Sequence, residues 1–269
     1  MWHNELSAND KDLQLGIREK GKLPHHIGII MDGNGRWAER QGLSRYEGHR
    51  EGIESVRDIV KASSQLGIEF LTLYSFSIEN WNRPVNEVNG LMQLLELYLR
   101  KEVNELNENK VRIKTIGKTS ALPPSVQQLL YNSIELTRKN KGLTLTLALS
   151  YSGRWDIVRA LQVLALDVRS GKLSPEDITE ELFASYLQTR DMPDVDLMIR
   201  TSGELRLSNF LLWEMAYGEI FITEKLWPDF RREDLYEALI DYSKRERRFG
   251  KTSKQITNDK FDFSKIWHK

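Results

Sequence analysis

Residues 26–37 constrain this chain more than any other stretch. An apolar run from Ile27 to Met31 ends on Asp32, and Gly33, Asn34, Gly35, Arg36 and Trp37 follow at once. A short apolar run closed by a turn signal reads as a buried strand of a parallel sheet. Glycines on both sides of Asn34 permit positive φ and let a ligand approach the main chain. Successive N–H groups in such a turn form an anion-binding concavity. Arg36 adds a planar, permanently charged fork that matches phosphate oxygens. A carboxylate repels phosphate unless a cation lies between them, so Asp32 argues for Mg²⁺.

Other readings of the loop fit less well. Residues 33–38 match a dinucleotide fingerprint with alanine as the third glycine. That fingerprint expects an acidic residue about 20 positions on, closing a second strand. The next strand pattern, Phe70 to Phe76, comes much later, and Arg36 and Trp37 are bulky where helix and strand should pack closely. An EF-hand loop is excluded, because Arg36 and Trp37 stand where an oxygen ligand and a glycine are needed. A tight turn without a ligand remains an alternative for the loop taken alone.

The 269 residues suffice for one large α/β domain or two small ones. Lys+Arg and Asp+Glu both number 39. That balance disfavours a general nucleic-acid binder, so an anion site must be a local cluster of arginines. Cysteine is absent, which excludes a disulfide framework, a thiolate nucleophile and a cysteine zinc site. The five histidines form no His-Glu-x-x-His pattern. A polar start without a signal-peptide core, and no run of membrane-spanning length, predict a cytoplasmic protein.

Strand patterns recur over residues 27–31, 70–76, 111–116, 143–149, 195–199 and 220–223, separated by helical patterns. The alternation predicts a single α/β domain with a mostly parallel six-stranded sheet flanked by helices. Residues 1–22 read as a loosely held arm, 23–250 as the domain and 251–269 as a polar tail. A helix is expected from about residue 51 to 66. A second, over 86–107, is apolar on more than one face and could wall an apolar tunnel. Leu143, at the strand end opposite the loops, is a candidate floor for that tunnel. Two further polar loops follow strands. One runs from Ser77 through Ile78, Glu79, Asn80 and Trp81 to Arg83, and the other from Arg200 through Arg206 and Leu207 to Ser208. In open α/β sheets, ligands bind beyond the carboxyl ends of strands. Glu219, before the sixth strand, is a candidate second carboxylate.

These motifs together resemble the cis-prenyltransferases. Residues 31–37, 76–84, 153–156, 196–204 and 208–213 match the family pattern in order, and the resemblance covers about residues 25–250. It implies sequential condensation of isopentenyl diphosphate onto an allylic diphosphate, usually farnesyl diphosphate, with cis double bonds. The product would be a long polyprenyl diphosphate, a carrier lipid for cell-wall glycans. By resemblance, Gly33, Asn34, Gly35, Arg36 and Arg45 hold the allylic diphosphate, with His49 near it. Arg200, Arg206 and Ser208, with Leu207 between, hold isopentenyl diphosphate. Asp32 and Glu219 bind Mg²⁺. Asn80 lies near the proton that is lost, and Ser77, Ile78, Glu79 and Arg83 shape its loop. Trp37 and Trp81 cover the apolar chain. Arg248 and Gly250 match an ending that completes the neighbouring site in a homodimer. Product release implies peripheral contact with a membrane. Ser150, Ser152 and Leu205 depart from the usual pattern, which bears on the second phosphate site. The runner-up is a non-catalytic partner subunit. Such chains typically lose the loop aspartate and arginines, whereas Asp32, Arg36, Asn80, Arg200 and Arg206 are all present here.

Overall fold

The computed structural model describes Trp2, residues 6–19 and residues 21–245. Six strands form one sheet: β1 (His26–Ile30), β2 (Phe70–Ser77), β3 (Arg112–Ile116), β4 (Thr144–Tyr151), β5 (Leu197–Arg200) and β6 (Glu219–Ile222). Their order is β3-β4-β2-β1-β5-β6, and every neighbouring pair is parallel. All residues of β1 and β4 are buried. Both strands lie inside a sheet covered on two faces, which is why neither carries a charged Asp, Glu, Lys or Arg. The chain leaves β1 toward β2 on one side and later returns to β5 on the other. The carboxyl end of β1 is therefore a switch point, where open sheets bind ligands.

Helices cover both faces. The larger core packs one sheet face, including Ile27, Ile29, Leu71 and Leu147, against helices α3 (Arg45–Leu66), α4 (Val85–Glu108) and α8 (Arg232–Lys244). A smaller core on the other face gathers Ile30, Tyr151, Met198 and Phe210. Helices α5 (Pro124–Thr137), α6 (Gly153–Arg169) and α7 (Glu180–Tyr186) complete the layers. No helix among the described residues is long and apolar enough to cross a membrane.

Three local features differ from the sequence reading. Residues 8–19, expected as a loose arm, form helix α1 (Ala8–Glu19), with Gln14 and Ile17 buried. Gln14 Nε2 donates to the Tyr236 hydroxyl at 2.8 Å, so a polar contact to α8 helps hold a helix whose apolar stripe is thin. The loop after Asp32 enters helix α2 (Asn34–Arg40) at once. Helix α3 starts six residues before the expected position. Ser44 and Glu47 form a reciprocal capping box there. Gly48 reads as a breaker in sequence, yet it lets α2 approach: a Cβ there would lie 2.2 Å from the Asn34 carbonyl oxygen.

Candidate active site

Four strand ends converge on one cavity of about 820 Å³. Its mouth is polar, lined by Asp32, His49, Asn80, Arg83, Arg200 and Ser208. Its interior is apolar, lined by Val56, Leu91, Leu94, Leu95, Tyr98 and Leu147. Helices α3 and α4 and the face of the sheet supply that interior. The backbone around the mouth is locally strained. Ser150, Ser202, Ser208, Asn209 and Leu211 all have positive φ, between 45° and 75°. Non-glycine residues seldom adopt such angles, and they gather where function over-determines the backbone.

Asp32 stands two residues past β1. Its Oδ2 accepts a hydrogen bond from Arg200 Nη2 at 2.8 Å, and Oδ1 lies 3.6 Å from Arg36 Nη2. The main chain of Asp32 is tied to Thr201 Oγ1, which accepts from its N–H at 2.9 Å and donates to its carbonyl at 2.7 Å. Gly33 follows with φ of 105°, a left-handed turn that a side chain would strain. Burial alone would raise the Asp32 carboxyl. The Arg200 hydrogen bond and charge, the Gly33 N–H and Arg36 outweigh it and hold the carboxyl below its ordinary value.

Arg200 is buried and fixed on three sides. Beyond Asp32, its Nη1 donates to Ser208 Oγ at 2.8 Å and to the Arg206 carbonyl. Its Nε is buried without a partner, as is Asn34 Oδ1. Buried unpaired polar atoms are rare, and at the edge of a cavity they mark a place for a polar ligand. Arg36 Nη1 donates to the Ser202 carbonyl at 3.2 Å, and Arg36 also pairs with Glu204 at 3.5 Å. Arg83 and Arg45 share Glu87, at 3.0 and 3.8 Å. Burial, with Arg83 and Arg45 adding to it against the pull of Glu87, lowers His49 to about 4. Its ring is neutral at pH 7 and can donate one hydrogen bond and accept another.

The loop after β2 is a single turn of 3₁₀ helix, Ile78–Asn82. Asn80 Oδ1 accepts from the Ser77 N–H at 3.0 Å, which fixes the amide at the cavity wall. Asn209 joins this loop to α6: its Nδ2 donates to Glu79 Oε1 at 3.0 Å and to Ser152 Oγ, and its Oδ1 accepts from the Arg154 N–H at 2.9 Å. Trp81 Nε1 donates to Ser150 Oγ at 2.9 Å, so the serine that departs from the usual pattern holds the indole.

A prenyltransferase family model, described as undecaprenyl diphosphate synthase, matches residues 30–250. This chain belongs to that family. It is 57% identical over 260 residues to an isoprenyl transferase of Chlorobaculum tepidum, covering 96% of this chain and 98% of the relative. It is 48% identical over 248 residues to a ditrans,polycis-undecaprenyl-diphosphate synthase ((2E,6E)-farnesyl-diphosphate specific) of Aliivibrio fischeri, covering 92% and 95%. A crystal structure of lavandulyl diphosphate synthase from Lavandula x intermedia, in complex with dimethylallyl diphosphate, superposes with a TM-score of 0.83. It is 41% identical, and the match covers 85% of this chain and 98% of that one. The parallel sheet and the prenyltransferase activity expected from the motifs therefore stand. These comparisons support neither a non-catalytic subunit nor a dinucleotide-dependent oxidoreductase.

The prenyltransferase fold brings Asp32, Asn34, His49, Ser77, Glu79, Asn80, Arg83, Arg200, Arg206 and Ser208 to the cavity wall. Gly33, Gly35, Arg36, Arg45, Ile78, Trp81 and Leu207 belong to the surrounding loops and helices but do not line it. Trp37 does not line it either; its Nε1 donates to Asp229 at 2.7 Å. Glu219 does not join Asp32 within the chain. It opens β6, level with Leu197 and Ile27, on the order of 15 Å below Asp32 along the strands. There it accepts from Arg245 at 2.9 Å. The physical reason is simple: a residue that precedes a parallel strand enters at the end opposite the ligand mouth. Leu143 immediately precedes β4 and belongs to the same core as Leu147, but it lies outside the catalytic cavity, in a separate crevice beside Trp2. Arg248 and Gly250 lie outside the described residues. Sequence reasoning missed Tyr74, Arg154 and Asn209 at the wall. Arg154 sits in a matched motif after β4, a signal that could have assigned it.

Proposed function

We propose that this chain condenses isopentenyl diphosphate repeatedly onto farnesyl diphosphate, with cis geometry, to give a polyprenyl diphosphate of undecaprenyl size. The observation that carries the reading is a polar, arginine-rich mouth over an apolar interior in one cavity. The two ends match a substrate with a charged head and a hydrocarbon tail. Gly33, Asn34, Gly35, Arg36, Arg45 and His49 are assigned to the allylic diphosphate, and Arg200, Arg206 and Ser208 to isopentenyl diphosphate. The arginine pairs with Glu204 and Glu87 are partly exposed and individually weak, so an incoming diphosphate can displace them.

Each cycle breaks the allylic carbon–oxygen bond and forms a carbon–carbon bond to isopentenyl. A proton then leaves, and the electron pair that it releases becomes the new double bond. Negative charge grows on the departing diphosphate, where the arginines stabilise it. Asp32 is held below its ordinary carboxyl value, so it is a weak base, and diphosphate oxygens are the better proton acceptors. Asn80 orients the isopentenyl group. Mg²⁺ fits Asp32, because this ion takes one or two carboxylates and completes its shell with substrate phosphates. It would supply charge neutralisation for the leaving diphosphate. The catalytic unit is taken as residues 23–250, working as a homodimer, with release of the lipid product at a membrane surface. The bulk of side chains lining the apolar interior, Leu147 among them, is proposed to influence product length.

The test is incubation with labelled isopentenyl diphosphate and farnesyl diphosphate, with and without a chelator, followed by sizing of the product. Long cis-polyprenyl products that vanish on chelation are expected. Absence of elongation at saturating Mg²⁺ would refute the reading.

A further inference from the structure

Asn209 is the residue through which the loops of the mouth hold one another. Its Nδ2 donates to Glu79 Oε1 at 3.0 Å and to Ser152 Oγ, and its Oδ1 accepts from the Arg154 N–H at 2.9 Å. Its carbonyl accepts from the Gly153 N–H at 2.6 Å. One residue from the loop after β5 thus binds the loop after β2 and the start of α6, which follows β4. In the sheet β1 lies between β5 and β2, so the loop reaches past the strand that leads to Asp32.

Backbone and amide are both committed. Asn209 has φ of 62°, a left-handed angle that asparagine and aspartate tolerate better than other side chains. Phe210, next along, is buried and stacks on Tyr74 of β2 with ring centroids 4.3 Å apart, which anchors the loop. A main-chain N–H on one side and a carboxylate on the other decide which end of the amide is oxygen. Both Nδ2 hydrogens are then used, and the side chain has no donor left for a substrate. Burial would raise the Glu79 carboxyl. The Asn209 hydrogen bond, the Glu79 N–H and the Ser77 hydroxyl outweigh it and hold the carboxyl below its ordinary value.

The sequence neighbours of the two partners give the contact its meaning. Ser208 precedes Asn209, and its Oγ accepts from Arg200 at 2.8 Å. Asn80 follows Glu79, and its Oδ1 accepts from the Ser77 N–H at 3.0 Å. Ser208 is assigned above to the diphosphate of isopentenyl diphosphate, and Asn80 to its isopentenyl group. The Asn209–Glu79 hydrogen bond therefore sets the spacing between the seats for the two ends of one substrate.

We propose that Asn209 is a positioning residue for the condensation: through Glu79 it holds Asn80 in register with Ser208, so that the isopentenyl double bond is aimed at the allylic carbon. The inference rests on the elongation reading above. Such a role acts on the chemical step, because a misplacement of about 1 Å can cost about 100-fold in rate.

The experiment uses the purified full chain. It measures kcat and KM for isopentenyl diphosphate, the Kd of farnesyl diphosphate alone by calorimetry, and thermal melts. Asn209→Asp keeps the shape, the tolerance of the left-handed φ and the acceptor for the Arg154 N–H, and Ser152 can turn its hydroxyl to donate. Only the Glu79 contact becomes a repulsion between two carboxylates. The expected result is a fall in kcat of about 10- to 100-fold, with farnesyl diphosphate binding unchanged. Glu79→Gln, added to that variant, supplies a donor to the new carboxylate and should return kcat to the level of Glu79→Gln alone. Asn209→Gly also accepts the φ but has no side chain to pair, so Glu79→Gln should restore nothing to it. Should Asn209→Asp fail to fold, Glu79→Ala cuts the same bond from an exposed position. Its loss of kcat and that of Asn209→Gly should then not add, and additive losses overturn the proposal. A folded Asn209→Asp with wild-type kcat overturns it as well. So does a loss that Glu79→Gln does not repair, the result expected of direct contact with substrate. A parallel loss of farnesyl diphosphate affinity and melting temperature overturns it in favour of a scaffold role. A wild-type chain that does not elongate refutes the elongation reading itself, and this link with it.

Discussion

The Asp32 carboxylate and the Arg200 guanidinium meet at 2.8 Å, although 168 positions separate them in the chain. Adjacent parallel strands create the pair: Ile30 and Arg200 are register partners on β1 and β5. Arg200 is 3% exposed and Asp32 about a third. The arginine is thus the fixed member, and the carboxylate faces the cavity. Ser208 Oγ and the Arg206 carbonyl both accept from its Nη1, so the loop after β5 is shaped around the same guanidinium.

Asp32→Ala should reduce turnover by at least about 100-fold, the scale seen when one preorganised electrostatic group is lost. It should also lower stability, because a buried guanidinium loses its carboxylate. Asp32→Asn should recover much of the stability and none of the turnover. Steady-state kinetics at saturating Mg²⁺ and thermal melts separate the two effects. Near-wild-type turnover in either variant would remove Asp32 from the centre of the reaction.

His49 makes stability depend on pH in a defined direction. Its value falls from 6.5 to about 4 in the folded chain. Between these values the unfolded state binds more protons than the folded state. The contribution is therefore complete above pH 6.5 and is lost as pH falls toward 4. It amounts to at most about 3 kcal/mol. Urea titrations at pH 7 and pH 4.5 should show a smaller drop in stability for His49→Gln than for wild type. Equal drops would show that the ring is not held neutral by its surroundings.

Glu214 carries the opposite sign. It is buried, its Oε1 accepts from Thr189, and its Oε2 has no partner. Burial raises its carboxyl, and the charges of Asp156 and Asp194 add to the shift. The folded state therefore keeps a proton that the unfolded state releases, and stability falls as pH rises above the ordinary carboxyl range. Glu214→Gln should be more stable than wild type at pH 8. The gain should shrink toward pH 4. A gain independent of pH would point to packing instead.

The parts of this molecule legible in its sequence are those set by burial. Residues 27–31, 70–76 and 143–149 are dominated by apolar residues because their strands are covered on both faces, and each stretch falls on a strand. Asp32 and Asn80 were legible because each follows such a strand, and Arg200 because it closes β5. Helix α1 was hidden because its seat is a hydrogen bond to Tyr236, 222 positions away, which no local pattern records. The start of α3 was hidden by Gly48, whose reason lies in the neighbouring helix. Glu219 opens β6 and so stands, within the chain, at the end of the sheet opposite Asp32, where it pairs with Arg245.

Arg248 and Gly250 match an ending that, by resemblance to the family, completes the site of a neighbouring subunit. An arginine that reaches across a two-fold interface would serve the diphosphate of the other subunit. Complementation tests this. Subunits carrying Asp32→Ala are mixed with subunits carrying Arg248→Ala under conditions that allow exchange. If Arg248 acts across the interface, the mixed dimer has one site with both defects and one with neither. Activity should then return, approaching half of wild type per mixed dimer when the sites work independently. If Arg248 serves its own subunit, each site of the mixed dimer carries one defect and no activity returns. Exchange is verified by mass spectrometry of differently tagged subunits. Confirmed exchange without recovered activity rules out the cross-subunit role.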